Sequence, residues 1–326
     1  MKNNSSVPTL DDVAKLAGVS KSVASRALSG KNRPISPDKK VRVVEAAAQL
    51  GYVANPFAQS LINQSTGMIA VVVNHISDIS DLALFDLLIQ SIQSIGKQTL
   101  FVRLRSEKDI AEIKKSPFVH RVDAALIFSD LIEPEEAPNL FYTDKVIMLN
   151  GKKAVSGLSV TINEALGIEQ AIANARESNI TRAVLLCGRQ TSLTEKQRVL
   201  SYQQCMKNHD IDIELLAYCD YSYESALDYL SRHSLDINNL GIFCTSDAMA
   251  MAAVDYCKEQ YRDVVERHAI YGFDNTFFSQ IRSYHFSSIG YSKQAFIKLI
   301  IELLKTQKYE TYEERHLSVD SEFYVR

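Results

Sequence analysis

Lys21, Ser22, Ser25, Arg26 and Ser29 recur at i, i+1, i+4, i+5 and i+8, the spacing of one face of an α-helix. Two cations interleaved with hydroxyls offer donors to phosphate oxygens and to the acceptor edges of bases. Such a face suits insertion into a DNA major groove. The elements that must present it are legible around it. Thr9 reads as the N-cap of a first helix, with Asp12 three residues on to close a capping box and favoured by the helix dipole. Leu10, Val13, Ala14 and Ala17 form that helix's apolar stripe, and Gly18 supplies the left-handed residue that ends it. Ser20 caps a second helix whose Val23, Ala24, Ala27 and Leu28 turn inward. Ala14 and Ala24 are small enough for the two helices to cross closely. A generic amphipathic hairpin has the same spacing, so the reading leans on the rest of the chain.

A third helix is expected from Ser36-Pro37-Asp38, a cap followed by a proline at the first helical position and a first-turn acid. It runs to about Leu50, with Val41, Val44 and Ala48 inward, and Gly51 ends it. Three short helices in this span make a minimal DNA-binding bundle. Beyond Tyr52, Asn55 and Pro56 can start one more short helix, too short to hold alone in water and able to order on docking.

Charge supports a division of labour. Residues 1–66 carry nine Lys/Arg against four Asp/Glu, a net +5, while the whole 326-residue chain is −3, which leaves −8 for the remainder. A basic head on an acidic body fits a polyanion-binding module joined to something else. The five cysteines (187, 205, 219, 244 and 257) include no CxxC pair and mostly sit in apolar runs, so they are expected as reduced core residues of an intracellular protein. The N-terminus has no apolar signal-like segment and no run reaches transmembrane length, so no membrane partner is expected.

From Met68 the pattern alternates. Apolar runs at Met68–Val73, Thr99–Leu104, Ala124–Phe128, Val146–Leu149, Ala183–Cys187, Gly241–Cys244 and Ala269–Gly272 read as buried strands. Helical patterns lie between them at Leu82–Ile95, Ile168–Ala175, Glu195–Asn208, Ser222–Arg232, Asp247–Gln260 and Lys293–Lys305. This alternation predicts doubly wound parallel sheets, and about 260 residues is enough for two lobes with a cleft at the strands' carboxyl ends. The final run, RHLSVDSEFYVR, reads as a strand and tail rather than a zipper. Phosphate-loop, dinucleotide, zincin and nucleophile-elbow motifs are missing, and the seven histidines show no metal-ligand spacing. No catalytic residue, metal or cofactor is expected, and the body suits binding better than turnover.

Over residues 9–61 the chain resembles the DNA-binding region of the lactose-repressor/galactose-repressor (LacI/GalR) family of bacterial transcription regulators. The stretches that carry the resemblance are DDVAKLAGVSKSVASRALSG, SPDKKVRVVEAAAQLGY and NPFAQSL. It implies that Lys21, Ser22 and Arg26 read bases in the major groove. Asn55 and Ala58 would be contacts of a hinge helix in the minor groove, with Leu61 as the apolar wedge that opens the central base step. Thr9, Ser20, Ser25, Asn32 and Tyr52 complete the expected DNA-facing set. Ala24 stands where the family more often has Val.

A weaker resemblance continues through the body and implies the periplasmic-binding-protein-like fold. It rests on Glu195-Lys196-Gln197-Arg198 with Tyr202, Cys244-Thr245-Ser246-Asp247-Ala248-Met249-Ala250, and Tyr271-Gly272-Phe273-Asp274-Asn275. It implies that Arg198, Ser246 and Asp274 hydrogen-bond an effector; Asp78 and Tyr291 join the expected set. Asp247 reads as a helix N-terminal acid rather than a ligand contact. The run Asn74–Asp81 departs from the family's Asn-Pro-aromatic-aromatic signature, Ile162-Asn163 stands for its Asp-Asn pair, and Tyr291 replaces a glutamine.

The expected architecture is therefore an N-terminal all-α helix-turn-helix head with a hinge helix, joined to an α/β two-lobed periplasmic-binding-protein-like effector domain of doubly wound parallel sheets. The head is placed at 1–53, the hinge at 54–66 and the effector and dimerisation domain at 67–326. Within that domain one lobe takes about 67–160 and 290–316, the other 161–289 and 317–326. The function implied is a cytoplasmic, homodimeric repressor of a near-palindromic operator on double-stranded DNA, controlled by a sugar-like small-molecule effector. Two other readings stay open: an effector-independent regulator with a degenerate pocket, and a solute-binding protein.

Overall fold

A computed structural model describes residues 7–28, 35–53, 65–76, 79–115, 121–152, 157–261, 269–306 and 315–326. The chain divides into two compact units, Met1–Gly67 and Met68–Arg326.

The first unit is built of α1 (Leu10–Leu16), α2 (Lys21–Leu28) and α3 (Pro37–Leu50). Thr9 caps α1 in a complete capping box: its backbone N–H donates to Asp12 Oδ2 at 2.9 Å, and Asp12 N–H donates to Thr9 Oγ1 at 3.4 Å. Gly18 follows with φ +62°, a left-handed conformation that glycine adopts without cost. Ser20 contributes to the start of α2 through its carbonyl, which accepts from Val23 and Ala24, while its hydroxyl meets that of Ser22 at 3.0 Å. Val13, Ala14, Ala17, Ala24 and Ala27 are buried together, the small-residue crossing anticipated from sequence.

The third helix turns a different face inward from the expected one. Val41 and Val44 are 54% and 49% exposed and Ala48 is exposed, while Val43, Ala46 and Ala47 are buried and Leu50 packs against them. The sequence VRVVEAAAQL carries two apolar stripes. The one at 43, 46, 47 and 50 continues through Leu50 towards Tyr52 and buries more, so it wins. Ser36 stands at the N-cap with extended backbone but makes no side-chain cap bond.

Exchanging Thr9 for Ala removes the capping acceptor and is expected to cost the α1 turn ~1 kcal/mol. Amide hydrogen exchange at Val13 in the full chain would then quicken roughly fivefold; an unchanged rate would show that the box contributes nothing.

The second unit is α/β. Its first half holds β1 (Met68–Val73), α4 (Ile79–Ser94), β2 (Gln98–Arg103), α5 (Glu107–Lys115), β3 (Ala124–Phe128), α6 (Ala137–Phe141), β4 (Val146–Leu149) and β5 (Leu158–Asn163). The second half holds α7 (Ala165–Glu177), β6 (Arg182–Cys187), α8 (Leu193–Asn208), β7 (Asp212–Tyr218), α9 (Tyr223–Ser231), β8 (Leu240–Cys244), α10 (Asp247–Gln260) and β9 (Ala269–Phe273). The chain closes with α11 (Phe277–Gln280), β10 (Ser287–Tyr291), α12 (Lys293–Lys305) and β11 (Arg315–Tyr324).

Strand order is β2-β1-β3-β4-β5-β11-β10-β9-β8-β6-β7. Every ladder is parallel save one. Residues 315–320 of β11 pair parallel with β5, and residues 321–324 pair antiparallel with β10, so one strand joins the two halves. Apolar layers cover both faces of each half. Leu88 and Ile92 of α4 and Phe296 and Ile300 of α12 lie on one face of the first half, with Ile110 and Phe141 on the other. Ile168 and Tyr202 lie on one face of the second half, with Leu230 and Tyr256 on the other. All five cysteines are buried and unpaired by disulfides. Among the described residues no helix is long and apolar enough to cross a membrane.

The seven expected strands are present. Three others, β5, β7 and β10, carry no long apolar run: β7 is an edge strand that opens on alternating exposure, β5 brings in Thr161 and Asn163, and two of the five residues of SSIGY in β10 are serine.

Candidate nucleic-acid interface and ligand cleft

On the head, the N-terminal end of α2 leaves Ser20, Lys21 and Ser22 exposed, with Ser25 and Arg26 half-buried one turn on. The Arg26 Nε donates to the Ser22 carbonyl at 3.1 Å, which lays the side chain along the helix. Lys21 Nζ lies 3.6 Å from Asp11 Oδ1, both well exposed, so this pair is screened and yields readily to a stronger anion. Thr9 is exposed, with its polar groups turned to Asp12, and Tyr52 is half-buried against the head's core. Asn32, Asn55, Ala58 and Leu61 lie outside the described residues.

In the body, a cleft of about 610 Å³ opens where β1, β3, β4, β6 and β9 deliver their carboxyl ends, the place where open α/β sheets hold ligands. Hydrogen bonds cross it, among them Leu193 N–H to Asp130 Oδ2 at 3.1 Å and the Thr194 hydroxyl to the Asn150 carbonyl at 2.6 Å. Burial pushes the Asp130 carboxyl's pKa up, with the Leu193 N–H and Lys152 opposing.

Arg198 sits on the cleft floor almost wholly buried. Its Nε and one terminal nitrogen grip Glu164 at 2.8 and 2.6 Å, and the other terminal nitrogen donates to the Thr245 carbonyl at 2.9 Å. Its guanidinium lies 3.8 Å over the Phe273 ring, a cation–π contact. Burial alone would lower the Arg198 pKa, but Glu164 above all, then Tyr221 and Glu195, reverse this and leave it raised. Glu195, 0% exposed, accepts from Gly188 N–H, the Tyr221 hydroxyl and the Thr245 hydroxyl at 2.5, 2.7 and 2.6 Å. Gly188 is required there, because a Cβ would lie 1.9 Å from the Tyr221 ring.

Asp274 follows β9 with φ +99°, a strained backbone that aims it into the cleft beside Arg198. Its carboxyl has no hydrogen-bond partner among the described residues. Burial raises its pKa well above the usual range, Arg198 opposing and Asp247 adding to the rise. Tyr291 lines the same cleft, stacked edge-on to Phe296. Arg198, Asp274 and Tyr291 are therefore brought together.

Ser246 is not. It is the N-cap of α10, its hydroxyl accepting from Met249 N–H at 3.4 Å, and it does not line the cleft. Its hydroxyl serves as the helix cap, away from the cleft lining where the effector contact was expected. Asp247 does not face a ligand either. It accepts from Thr276 N–H, the Thr276 hydroxyl and the Ser288 hydroxyl at 2.6–2.7 Å, pinning the loop after β9 to β10. Asp78 lies outside the described residues, but its neighbours Asn74, His75, Ser80 and Asp81 line the cleft. The segment that departs from the family signature thus supplies polar groups, and Phe85 and Phe128, edge-to-face at 5.6 Å, supply the aromatic surface instead.

The sequence assigns no role to Glu164, and Glu195 enters there only as the start of the motif that carries Arg198. For Glu195 a signal exists: residues 195, 198, 199, 202, 205 and 206 form the buried stripe of α8, so a carboxylate and a guanidinium occupy core positions at i, i+3. Glu164 comes from the start of α7 and has no local signal.

Residues 9–55 match the family of bacterial regulatory proteins called the lacI family, and residues 173–326 match the periplasmic binding protein-like domain. The HTH-type transcriptional regulator CelR of Thermobifida fusca is 25% identical over 288 residues, covering 82% of each chain. Two of the solved structures that share the fold are themselves regulators of this kind. The transcriptional regulator CelR–cellobiose complex has a TM-score of 0.67 at 22% identity, over 98% of this chain and 99% of the other. The Lac repressor dimer bound to operator and the anti-inducer ONPF has a TM-score of 0.84 at 18% identity, over 98% of both chains. With a helix-turn-helix head and a binding-protein-like body that both match, the chain belongs to the lacI family of bacterial regulatory proteins and is a DNA-binding regulator of transcription.

Proposed function

We propose that this regulator is a cytoplasmic homodimeric repressor whose operator affinity is set by a small polyhydroxylated ligand in the body's cleft. The observation that carries the ligand reading is the cleft floor. Asp274 presents a carboxyl with no partner among the described residues beside an Arg198 whose fork is held rigid, and Phe128, Tyr221 and Tyr291 offer ring faces or edges around them. Directional acceptors next to aromatic surface suit sugar hydroxyls and the apolar faces of a pyranose. The relative solved with cellobiose makes the same class of ligand the natural first choice.

The working division is a head at 1–53, a hinge at 54–66 and a two-lobed body at 67–326, with Asn55, Ala58 and Leu61 engaging the minor groove. A ligand that prefers one arrangement of the lobes shifts the equilibrium by its differential affinity, typically ~1–3 kcal/mol of coupling to DNA. Two copies related by a two-fold axis read a near-palindrome. The alignment of the chain with regulators, rather than with enzymes, supports binding over turnover.

The experiment is selection of bound duplexes from a random pool by the full-length protein, followed by titration of the recovered site. A near-palindrome with a central pyrimidine–purine step is the expected product. Arg26→Ala then weakens that site by ~1–3 kcal/mol, roughly 5- to 150-fold, and relaxes the base preference in each half. Recovery of no common motif by folded dimeric protein would overturn the reading, and an operator blind to every sugar would leave DNA binding intact but remove the ligand claim.

A further inference from the structure

The outer part of the α7–α8 pair carries three different metal-binding groups in one place. Cys205 and His209 are four residues apart at the end of α8, and Glu169 faces them from α7. The Cys205 thiol donates to Glu169 Oε2 at 2.9 Å, and His209 Nε2 meets Glu169 Oε1 at 2.6 Å. One donor atom from each lies within 4.8 Å of the other two, and no other such group occurs among the described residues. We propose that Glu169, Cys205 and His209 form a binding site for a zinc-class divalent cation.

The donor chemistry selects the ion. A thiolate, an imidazole and a carboxylate are the ligands of zinc and its neighbours, whereas magnesium and calcium take oxygen shells. A thiolate and a carboxylate together bring two negative charges, which balance a dication. Bond lengths of ~2.0–2.3 Å at tetrahedral angles place ligand atoms roughly 3.3–3.5 Å apart, so the two touching pairs need to spread by under about an ångström and the third pair, within 4.8 Å, to close by little more than one. The Glu169 side chain is 54% exposed and that of His209 25%, which leaves a path for the ion and a fourth position for water. On binding, the Sγ–H bond breaks, its proton passes to solvent, and a sulfur–metal bond forms with no change of oxidation state.

Position gives the site a consequence. Glu164, at the start of α7, holds Arg198 of α8 on the cleft floor, and the cluster ties the same two helices further along. A bound cation braces the pair that carries the cleft's cation. The bland reading, in which Glu169 merely accepts two hydrogen bonds, makes no provision for metal uptake.

The test is a titration of chelator-stripped full-length protein with zinc chloride against a chromophoric chelator, repeated with cobalt(II). One zinc per chain is expected, with a thiolate-to-cobalt charge-transfer band in the near ultraviolet. Cys205→Ser removes the band and weakens zinc uptake by at least ~10- to 100-fold. His209→Asn, at a partly exposed helix end, weakens it comparably and decides the matter should the cysteine variant not fold. Cys219→Ser, a control in another apolar layer, binds as the wild type does. Failure of the folded wild type to take up one equivalent, or uptake unchanged by a folded variant of Cys205 or His209, would overturn the site.

Discussion

Arg198→Met lowers the stability of the body by about 3–5 kcal/mol, the scale for breaking a buried ion pair from one side. Since the chain has no tryptophan, urea unfolding is best followed by far-ultraviolet circular dichroism. The cause is not the loss of an attraction alone. The side chains of Arg198 and Glu164 are only 8% and 10% exposed, so removing the guanidinium strands a carboxylate that water barely reaches.

The two glutamates differ in what they lose. Glu195 keeps three donors, Gly188 N–H and the hydroxyls of Tyr221 and Thr245, whereas Glu164 gives both its oxygens to Arg198. Glu164→Gln should therefore rescue Arg198→Met, and Glu195→Gln should not. In a double-mutant cycle the Glu164–Arg198 coupling then comes out clearly non-additive. Arg198→Lys keeps the charge but not the two-pronged grip, so it falls between the wild type and Met. A Met variant as stable as the wild type would mean that the cluster positions a ligand without holding the fold.

The two units differ in how much their sequences disclose. In the head, local rules suffice: a capping box, a left-handed glycine and alanines at the crossing settle α1 and α2. They fail on α3, where VRVVEAAAQL offers two stripes and only tertiary packing chooses between them. In the body, buried parallel strands announce themselves as apolar runs. The antiparallel join of β11 to β10 and the mixed strands β5 and β7 do not, because their sequences reflect an edge or a change of neighbour part-way. Arg198 and Asp274 could be placed in the cleft from motif resemblance. Ser246 could not be excluded from it, since a serine before a helix is equally a cap and a ligand contact until the backbone is known. Glu164 and Glu169 face α8 from another helix, so no reading along the chain joins them to Arg198 or to Cys205.

Asp274→Asn makes the ligand-free protein more stable at neutral pH while removing its ligand response. The wild-type carboxyl is partly buried and aimed into the cleft, without a hydrogen-bond partner among the described residues. Burial therefore lifts its pKa well above the usual aspartate range, Arg198 opposing the lift only in part. A raised folded-state pKa means that the native state prefers the protonated form. The contribution of Asp274 is thus most favourable below the ordinary aspartate value of ~3.9, and it is lost as pH climbs through the raised one. Between those two values this group makes the wild type gain stability as pH falls, against the usual acid trend. Asparagine keeps the shape, tolerates positive φ and carries no charge, so its advantage is greatest at neutral pH, on the order of 1 kcal/mol for a partly buried unpaired group, and vanishes in acid. Thermal melts of both proteins from pH 4 to 8 would read this as two curves that converge on the acid side. Parallel curves would mean that Asp274 is solvated or paired in the native cleft. On the proposed ligand reading, the stability sacrificed at this position is the cost of keeping an acceptor ready for a hydroxyl not yet bound.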